Sequence, residues 1–152
     1  MNKNKFRIIA TFLVIIMLLA LVAPVISSVM AESSWKDEVY GYGAGLNDEQ
    51  VNTTAGLLKI ENKDIAKIKI DGKDTLKYLG EESTDSSMIS SVYIKKTGSQ
   101  DVNVEVTTPL SITKVSSLQY SNAAITSGLT GLDIKVAAVR PVTGESALAG
   151  VY

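Results

Sequence analysis

Two residue types that carry much of protein chemistry are absent from this 152-residue chain, which contains no cysteine and no histidine. Without cysteine there are no disulfide bonds, no thiolate metal sites and no cysteine nucleophile. Without histidine the chain lacks the usual general base, the usual zinc ligand and the side chain that titrates near physiological pH. A Ser-His-Asp triad is therefore excluded, and the fold must be held together by its apolar core.

Acidic residues are missing before Glu32, and this first part of the chain differs in kind from the rest. A basic start is followed by an almost wholly apolar stretch from Ile8 to Ile26, and then by small residues ending at Ala31. This order predicts a secretory signal peptide over residues 1–31, cleaved after Ala31. The alternative is a retained hydrophobic helix that anchors the chain, because the stretch approaches the ~20 residues that span a bilayer. Pro24 favours cleavage, since it breaks a helix near that end.

The chain from Glu32 onward carries 12 basic and 16 acidic residues, a formal charge of −4. It has no basic stripe, so no nucleic acid is expected as a partner. The positive flank of the leader keeps the N-terminus in the cytoplasm and directs the remainder outward. We therefore expect a secreted protein, or one on the extracellular face of the cytoplasmic membrane that is held there through residues 1–31 if the leader is uncleaved.

Four helices are predicted from residues that cap helix N-termini. The predicted caps are Asn47, Asp71, Ser116 and Thr143. Two of them have a glutamine three residues later, which completes a capping box. The third helix is expected to carry Leu118, Ala124 and Ile125 into the core.

Four segments have the composition of strands. Ala66–Ile70 alternates, so Ile68 and Ile70 are expected to be buried together. Ile89–Lys96 and Val102–Val106 are close enough in sequence to predict a hairpin. The segment Leu132–Val139 is almost wholly apolar and is interrupted only by Asp133 and Lys135. It predicts a central strand, covered on both faces and parallel to Val102–Val106.

These elements predict a mixed α/β (α+β) fold in which one mixed sheet of about four strands has helices packed on it. Residues 32–45 are interpreted as a linker, and residues 46–152 as the globular domain. Because the last predicted helix has only two turns, it is expected either to dock on the body of the domain or to belong to a parent architecture that continued further.

Trp35, Tyr40 and Tyr42 are three of only nine aromatic residues in the chain. Aromatic rings with a polar edge suit contacts with sugar rings, so these residues are candidate ligand contacts. The simpler interpretation is that they are packing or linker residues.

Other patterns are weaker. Gly41-x-Gly43-x-Gly45 lacks the spacing of a dinucleotide-binding loop, and the segment from Arg140 to Glu145 resembles a wall-sorting signal without its downstream parts. Paired carboxylates could hydrolyse glycosides or bind Ca²⁺, and the densest acidic cluster comprises Glu81, Glu82 and Asp85. A solvated loop explains that cluster as well. No catalytic residue, metal ligand or cofactor is assigned.

Several segments together resemble the DUF1002 family of uncharacterised exported proteins of Gram-positive bacteria. The similar segments, in order, are Gly43–Gln50, Lys77–Gly80, Ile89–Tyr93, Tyr120–Ala124 and Pro141–Gly150. The resemblance identifies a short member that lacks the usual C-terminal helical region. It implies location and fold, and it implies no catalytic residue.

The expected function is that of an exported cell-envelope or extracellular domain, a non-enzymatic binding module for a cell-wall polymer or a surface protein. Two alternatives are a carboxylate-based hydrolase acting on cell-wall material and a truncated family member without independent activity. The hydrolase requires two acidic side chains that converge in a pocket, and the truncated member requires an exposed apolar face.

Overall fold

The computed structural model describes residues 37–152, so the leader and Trp35 lie outside the described residues. In chain order the elements are β1 (Glu38–Gly43), α1 (Asp48–Leu57), β2 (Ala66–Ile70), α2 (Gly72–Leu79), a 3-10 turn (Asp85–Ser87), β3 (Ser90–Lys96), β4 (Val102–Val106), α3 (Ser117–Thr126), β5 (Leu132–Ala138) and α4 (Glu145–Ala149). None of the helices within residues 37–152 has the length and apolar character needed to cross a membrane.

The described strands form one mixed sheet of five strands in the order β2-β1-β3-β5-β4. The outer pairs, β1 with β2 and β4 with β5, are parallel, whereas β3 is antiparallel to both of its neighbours. The predicted mixed α+β class is confirmed, and so is the parallel pairing of the last strand with Val102–Val106 across a helical crossover.

Helices lie on both faces of this sheet. Helices α3 and α4 cover one face and enclose the larger core, which includes Val92, Ile134 and Val136 from the central strands. Helix α1 covers the other face, over a smaller core built around Tyr40, Leu58 and Tyr93. These are called below the α3/α4 face and the α1 face.

Local capping chemistry explains where three helices begin. Asn47 accepts a hydrogen bond from the backbone N–H of Gln50, whose side chain accepts one from the backbone N–H of Asn47. The same reciprocal arrangement, a capping box, starts α3 at Ser116 and α2 at Asp71. Three of the four predicted caps are therefore confirmed.

The fourth cap prediction, Thr143, is wrong. The cap of α4 is Gly144, which has φ of 103°, and it makes no side-chain capping hydrogen bond. A β-carbon at Gly144 would crowd Ile112 and the hydroxyl of Tyr120, which donates a hydrogen bond to the Gly144 carbonyl at 3.0 Å. Tertiary packing therefore sets this helix start. The predicted docking of the short last helix is confirmed, because Ala147, Ala149 and Val151 are buried.

Strand β1 was missed by the sequence analysis, which assigned residues 32–45 to a linker and expected about four strands. It pairs with β2 on one side and β3 on the other, so it is an interior strand. Its sequence, EVYGYG, gives only a weak strand signal because glycine has low β-propensity. Here glycine permits close packing: a β-carbon on Gly43 would overlap the backbone of Met88.

The hairpin predicted from β3 and β4 does not form. Strand β5 lies between them and pairs with both. The five intervening residues instead span the gap that β5 fills: Leu132 donates its backbone N–H to the Asp101 carbonyl at 3.0 Å, and Thr97 donates to Gly131 at 2.7 Å. Short sequence separation was therefore a misleading signal.

Three apolar residues predicted to be buried are exposed. Ile68 is 54% exposed on the edge strand β2, where only Ile70 is buried. On α3, Leu118 and Ile125 are exposed, and the inward face consists of Tyr120, Ala123 and Ala124. Small residues on this inward face let the helix lie close to the sheet.

Candidate binding cleft on the open face of the sheet

Helix α1 covers only part of its face of the sheet. Under the helix, Tyr40 of β1 and Ala137 of β5 have no exposed surface. Side chains on one face of a strand recur every second residue, so the same face continues to Glu38 on β1 and to Lys135 and Asp133 on β5. This uncovered part is polar, in contrast with the covered part.

The register of the strands places opposite charges side by side there. Glu38 lies opposite Lys95, and Lys95 lies opposite Asp133 on its other side. In the next row Lys135 lies opposite Glu105 of the edge strand β4. Cross-strand pairs of opposite charge stabilise a sheet, whereas like charges would destabilise it. The arrangement lets an uncovered sheet surface carry many charges.

A cleft of about 300 Å³ lies over this surface. Its lining consists of three carboxylates, three lysines, one amide and one phenol: Glu38, Glu61, Asp133, Lys59, Lys95, Lys135, Asn62 and Tyr93. It is called the charged cleft below. The acidic residues that the hydrolase alternative required do converge here, but they are interleaved with an equal number of lysines.

Glu38 forms the floor of the charged cleft. Its Oε1 accepts from the Lys95 ammonium at 2.8 Å, and this partner holds the pKa of Glu38 below its usual range. Its Oε2 is buried and has no hydrogen-bond donor with proper geometry among the described residues, although Tyr93 and Asn62 are close enough to contribute to lowering the pKa. A buried acceptor without a donor costs about 1–3 kcal/mol.

Tyr93 and Lys135 form the middle of the floor. Burial, followed by the negative charge of Glu38, raises the pKa of the Tyr93 phenol. The Lys135 ammonium lies 5.9 Å from the centre of the Tyr93 ring, within reach of a cation–π interaction. Lys135 makes no ion pair within residues 37–152.

The rim of the charged cleft comes from the segment after α1. Lys59 has a positive φ of 56° and turns the chain out of the helix. Its ammonium lies 3.3 Å from Glu105 on β4, which ties this segment to the far edge of the sheet. Glu61 and Asn62 follow on the rim, and in the described part of the chain Glu61 has no cationic partner within ion-pair distance. The pKa of Lys95 is raised chiefly by Glu38, and the charge of Glu61 adds a smaller contribution in the same direction.

The aromatic residues proposed as ligand contacts do not assemble into a surface within the described residues. Tyr40 is fully buried under α1, and its hydroxyl donates to the Val51 carbonyl at 2.9 Å. Tyr42 is half-buried and packs against Tyr40 with ring centres 5.8 Å apart. Trp35 lies outside the described residues. Tyr40 is inaccessible to a ligand because it belongs to the core.

A second cavity, of about 320 Å³, lies beside the start of α4. Two buried serines in its lining bind each other: Ser146 Oγ accepts from the Ser90 N–H at 3.0 Å and donates to the Ser90 carbonyl at 2.9 Å. Ser90 Oγ accepts from the Ala147 N–H. Because these hydroxyls are occupied in joining α4 to β3, this cavity is part of the scaffold.

The acidic residues of the 81–85 loop are used structurally or electrostatically. Asp85 accepts a hydrogen bond from the Gly72 N–H at 3.0 Å and thereby fixes the loop against α2. Glu81 raises the pKa of Lys114, although the larger cause is the Lys114–Glu145 ion pair at 2.8 Å. That lysine lowers the pKa of Glu145. Within residues 37–152 no group of three or more acidic residues is arranged to hold a metal ion.

Sequence reasoning did not single out the cleft residues, although one signal was present. Asp133 and Lys135 interrupt the otherwise apolar strand β5, which was predicted to be covered on both faces. That prediction is wrong for the first half of β5, because both side chains are only half-buried and face the charged cleft. Two alternate polar residues in a central strand therefore indicated an uncovered patch.

Comparison with known proteins gives one match. A family described as "protein of unknown function (DUF1002)" matches residues 42–152, which is more than two thirds of the chain. No curated protein and no solved structure matches this chain. The matched range includes most residues that line the charged cleft, with the exception of Glu38.

Proposed function

Because the chain belongs to the DUF1002 family, whose function is unknown, its role must be inferred from its own residues. We propose that it is an exported cell-envelope or extracellular binding module that catalyses no reaction, and that the charged cleft is its ligand site. The ligand is a cell-wall polymer or a surface protein.

The observation that carries this proposal is the lining of the charged cleft, in which three carboxylates are interleaved with three lysines. A general acid at neutral pH needs a carboxyl group with a raised pKa. In the charged cleft the pKa of Glu38 is shifted in the opposite direction, downward, by Lys95 at 2.8 Å. Interleaved carboxylates and lysines suit the recognition of a polar ligand better than proton transfer. The hydrolase alternative is disfavoured for the same reason.

Export is supported by the sequence alone. The basic, apolar and small-residue order of residues 1–31 and the charge of −4 that follows suit a chain that crosses the membrane. The test is N-terminal sequencing of protein recovered from the culture medium and from the membrane fraction. A start at Glu32 in the medium supports release, and an intact leader in the membrane supports anchoring. An intact chain in the cytosol contradicts both.

Binding is tested by co-sedimentation of the full chain, purified in detergent, with insoluble cell-wall polymer, and by capture on purified surface proteins. We expect the chain to be retained by the polymer or by a surface protein. Lys135→Glu should weaken the binding affinity by at least about tenfold, or about 1.4 kcal/mol, because the reversed charge repels the ligand group that Lys135 attracts. The matched control is Lys73→Glu on the exposed side of α2. Retention by neither, or equal retention of both variants, contradicts the proposal.

The truncated-member alternative rests on exposed apolar side chains. Within residues 37–152, the large apolar side chains that are more than half exposed are Ile68, Leu76, Leu110, Leu118 and Ile125. They are distributed over β2, α2, α3 and the segment before α3. Single exposed apolar residues are common on soluble proteins, so this alternative has less support than the charged cleft gives to binding.

A further inference from the structure

The charged cleft has groups of both signs that make no ion pair within residues 37–152. Lys135 on β5 has no carboxylate within ion-pair distance, and its ammonium lies 5.9 Å from the centre of the Tyr93 ring. Glu61 on the rim also makes no ion pair, and it adds to the larger effect of Glu38 in raising the pKa of Lys95. Glu38 on β1 supplies a second acceptor, because its buried Oε2 has no donor of proper geometry, although Tyr93 and Asn62 lie close to the carboxylate.

The remaining charges of the cleft are already matched. Lys95 pairs with Glu38 Oε1 at 2.8 Å, Lys59 pairs with Glu105 at 3.3 Å, and the Asp133 carboxylate accepts from the Asn103 amide at 3.0 Å. A cation beside Glu61 and an anion beside Lys135 would therefore complement the two charges that make no ion pair in the described part of the chain. A ligand of either sign alone would satisfy only one side.

The separation of the two sides limits the length of such a ligand. Strands β1 and β5 are both neighbours of β3, so they are about 10 Å apart at the backbone, or two strand spacings. Lys135 leans over Tyr93 on the middle strand, which shortens the span. An extended dipeptide covers about 7 Å, and a cleft of about 300 Å³ is at the lower end of small-ligand sites.

Asn62 lies on the path by which a ligand ammonium would reach Glu38. Its side chain lines both the charged cleft and a neighbouring cavity of about 260 Å³, and Glu38 lines both as well. Asn62 is exposed, and its displacement would join the two cavities beside the Glu38 carboxylate.

From these positions we infer that the charged cleft binds a zwitterionic peptide of two residues. The ligand ammonium lies beside Glu61 and Glu38, and its carboxylate pairs with Lys135. This inference rests on the proposed binding function and names the chemistry of its ligand.

The test is titration of the isotope-labelled full chain, in detergent micelles, with alanyl-alanine, followed by amide chemical shifts. We expect saturable shifts at Tyr93 and Lys135 below about 10 mM, the weak range suited to a small ligand with few contacts. The N-acetylated and C-amidated dipeptides each remove one charge. Each should bind on the order of tenfold more weakly, the loss of one charge-assisted hydrogen bond.

Two variants check the site without threatening the fold, because Glu61 and Lys135 make no ion pair in the described part of the chain. Glu61→Gln and Lys135→Gln should each weaken alanyl-alanine binding on the order of tenfold. The matched controls are Glu82→Gln and Lys73→Gln, on exposed surfaces away from the cleft. Loss of binding in the first pair alone supports the inference.

Three outcomes would overturn it: no saturable shift, equal affinity for the blocked dipeptides, or equal binding by the cleft variants and the controls. The proposed function is judged separately by co-sedimentation. Wall polymer retained without dipeptide binding would refute the zwitterionic ligand and leave the binding module in place. Dipeptide bound without retention on polymer or surface protein would refute the envelope role only.

Discussion

The two faces of the sheet differ in how completely they are covered. The α3/α4 face is mostly apolar, and Val92, Ile134 and Val136 have almost no exposed surface. The α1 face is apolar only under α1 and becomes a lattice of alternating charges at Glu38, Lys95 and Asp133. The contrast teaches that the larger core lies on one face, whereas the other face is covered only in part.

The largest expected effect comes from neighbouring residues of β5 that point to opposite faces. Ile134→Ala should lower the free energy of unfolding by about 2–5 kcal/mol, because it leaves a cavity in the larger core. Lys135→Ala should change it by no more than about 0.5 kcal/mol. Urea unfolding measures both. Similar losses in the two variants would contradict the division of roles between the faces.

A smaller effect is expected where backbones approach closely. A β-carbon on Gly43 would overlap the Met88 carbonyl, so Gly43→Ala should cost about 1–3 kcal/mol. Gly56 of α1 has open space around it, and Gly56→Ala should instead stabilise the helix by about 0.5–1 kcal/mol. Thermal unfolding should shift in opposite directions, and a tolerated Gly43→Ala would show that β1 is not held against the Met88 backbone.

The next effect concerns the hydrogen bond between α3 and the start of α4. Tyr120 is fully buried, and Tyr120→Phe leaves the Gly144 carbonyl without this donor. We expect a loss of about 1–2 kcal/mol in the free energy of unfolding. Tyr42→Phe is the control on the α1 face, because no hydrogen bond of the Tyr42 hydroxyl is formed with the described residues; it should be near neutral. An equal loss in the control would argue against the bond.

The smallest effect is the pH dependence of the charged cleft. The folded pKa of Glu38 lies below its unfolded value because of Lys95. The ion pair therefore stabilises the fold above the unfolded pKa of about 4.3, and this contribution is lost as the pH falls through the folded pKa. Carbon-detected NMR titration of the Glu38 carboxyl should show the depressed pKa, and Lys95→Gln should raise it. A pKa unaffected by Lys95→Gln would contradict the pairing.

Local signals predicted local features well. The caps at Asn47, Asp71 and Ser116 were predicted because a capping box involves residues only three positions apart. Long-range pairing was harder. The insertion of β5 between β3 and β4 depends on contacts about 30 residues apart along the chain, for example Val104 with Ile134.

The candidate site was almost wholly hidden from the sequence analysis. It draws its residues from three strands and the segment after α1, and no two of them form a recognisable motif. Tyr40 and Tyr42, the aromatic residues that the sequence suggested as ligand contacts, instead pack in the smaller core under α1. Asp133 and Lys135 were noticed only as interruptions, because their meaning depends on where α1 ends.

The position of β5 has a consequence for the time course of folding. Strands β3 and β4 can each complete their pairing only after residues 132–138 are available to form β5. Helix α4 contacts β3 through residues that are 56 positions apart in the sequence. A sheet closed by its latest strand has high contact order, and such topologies fold slowly. A chain threaded through a narrow channel would therefore stay unfolded until nearly all of it has emerged.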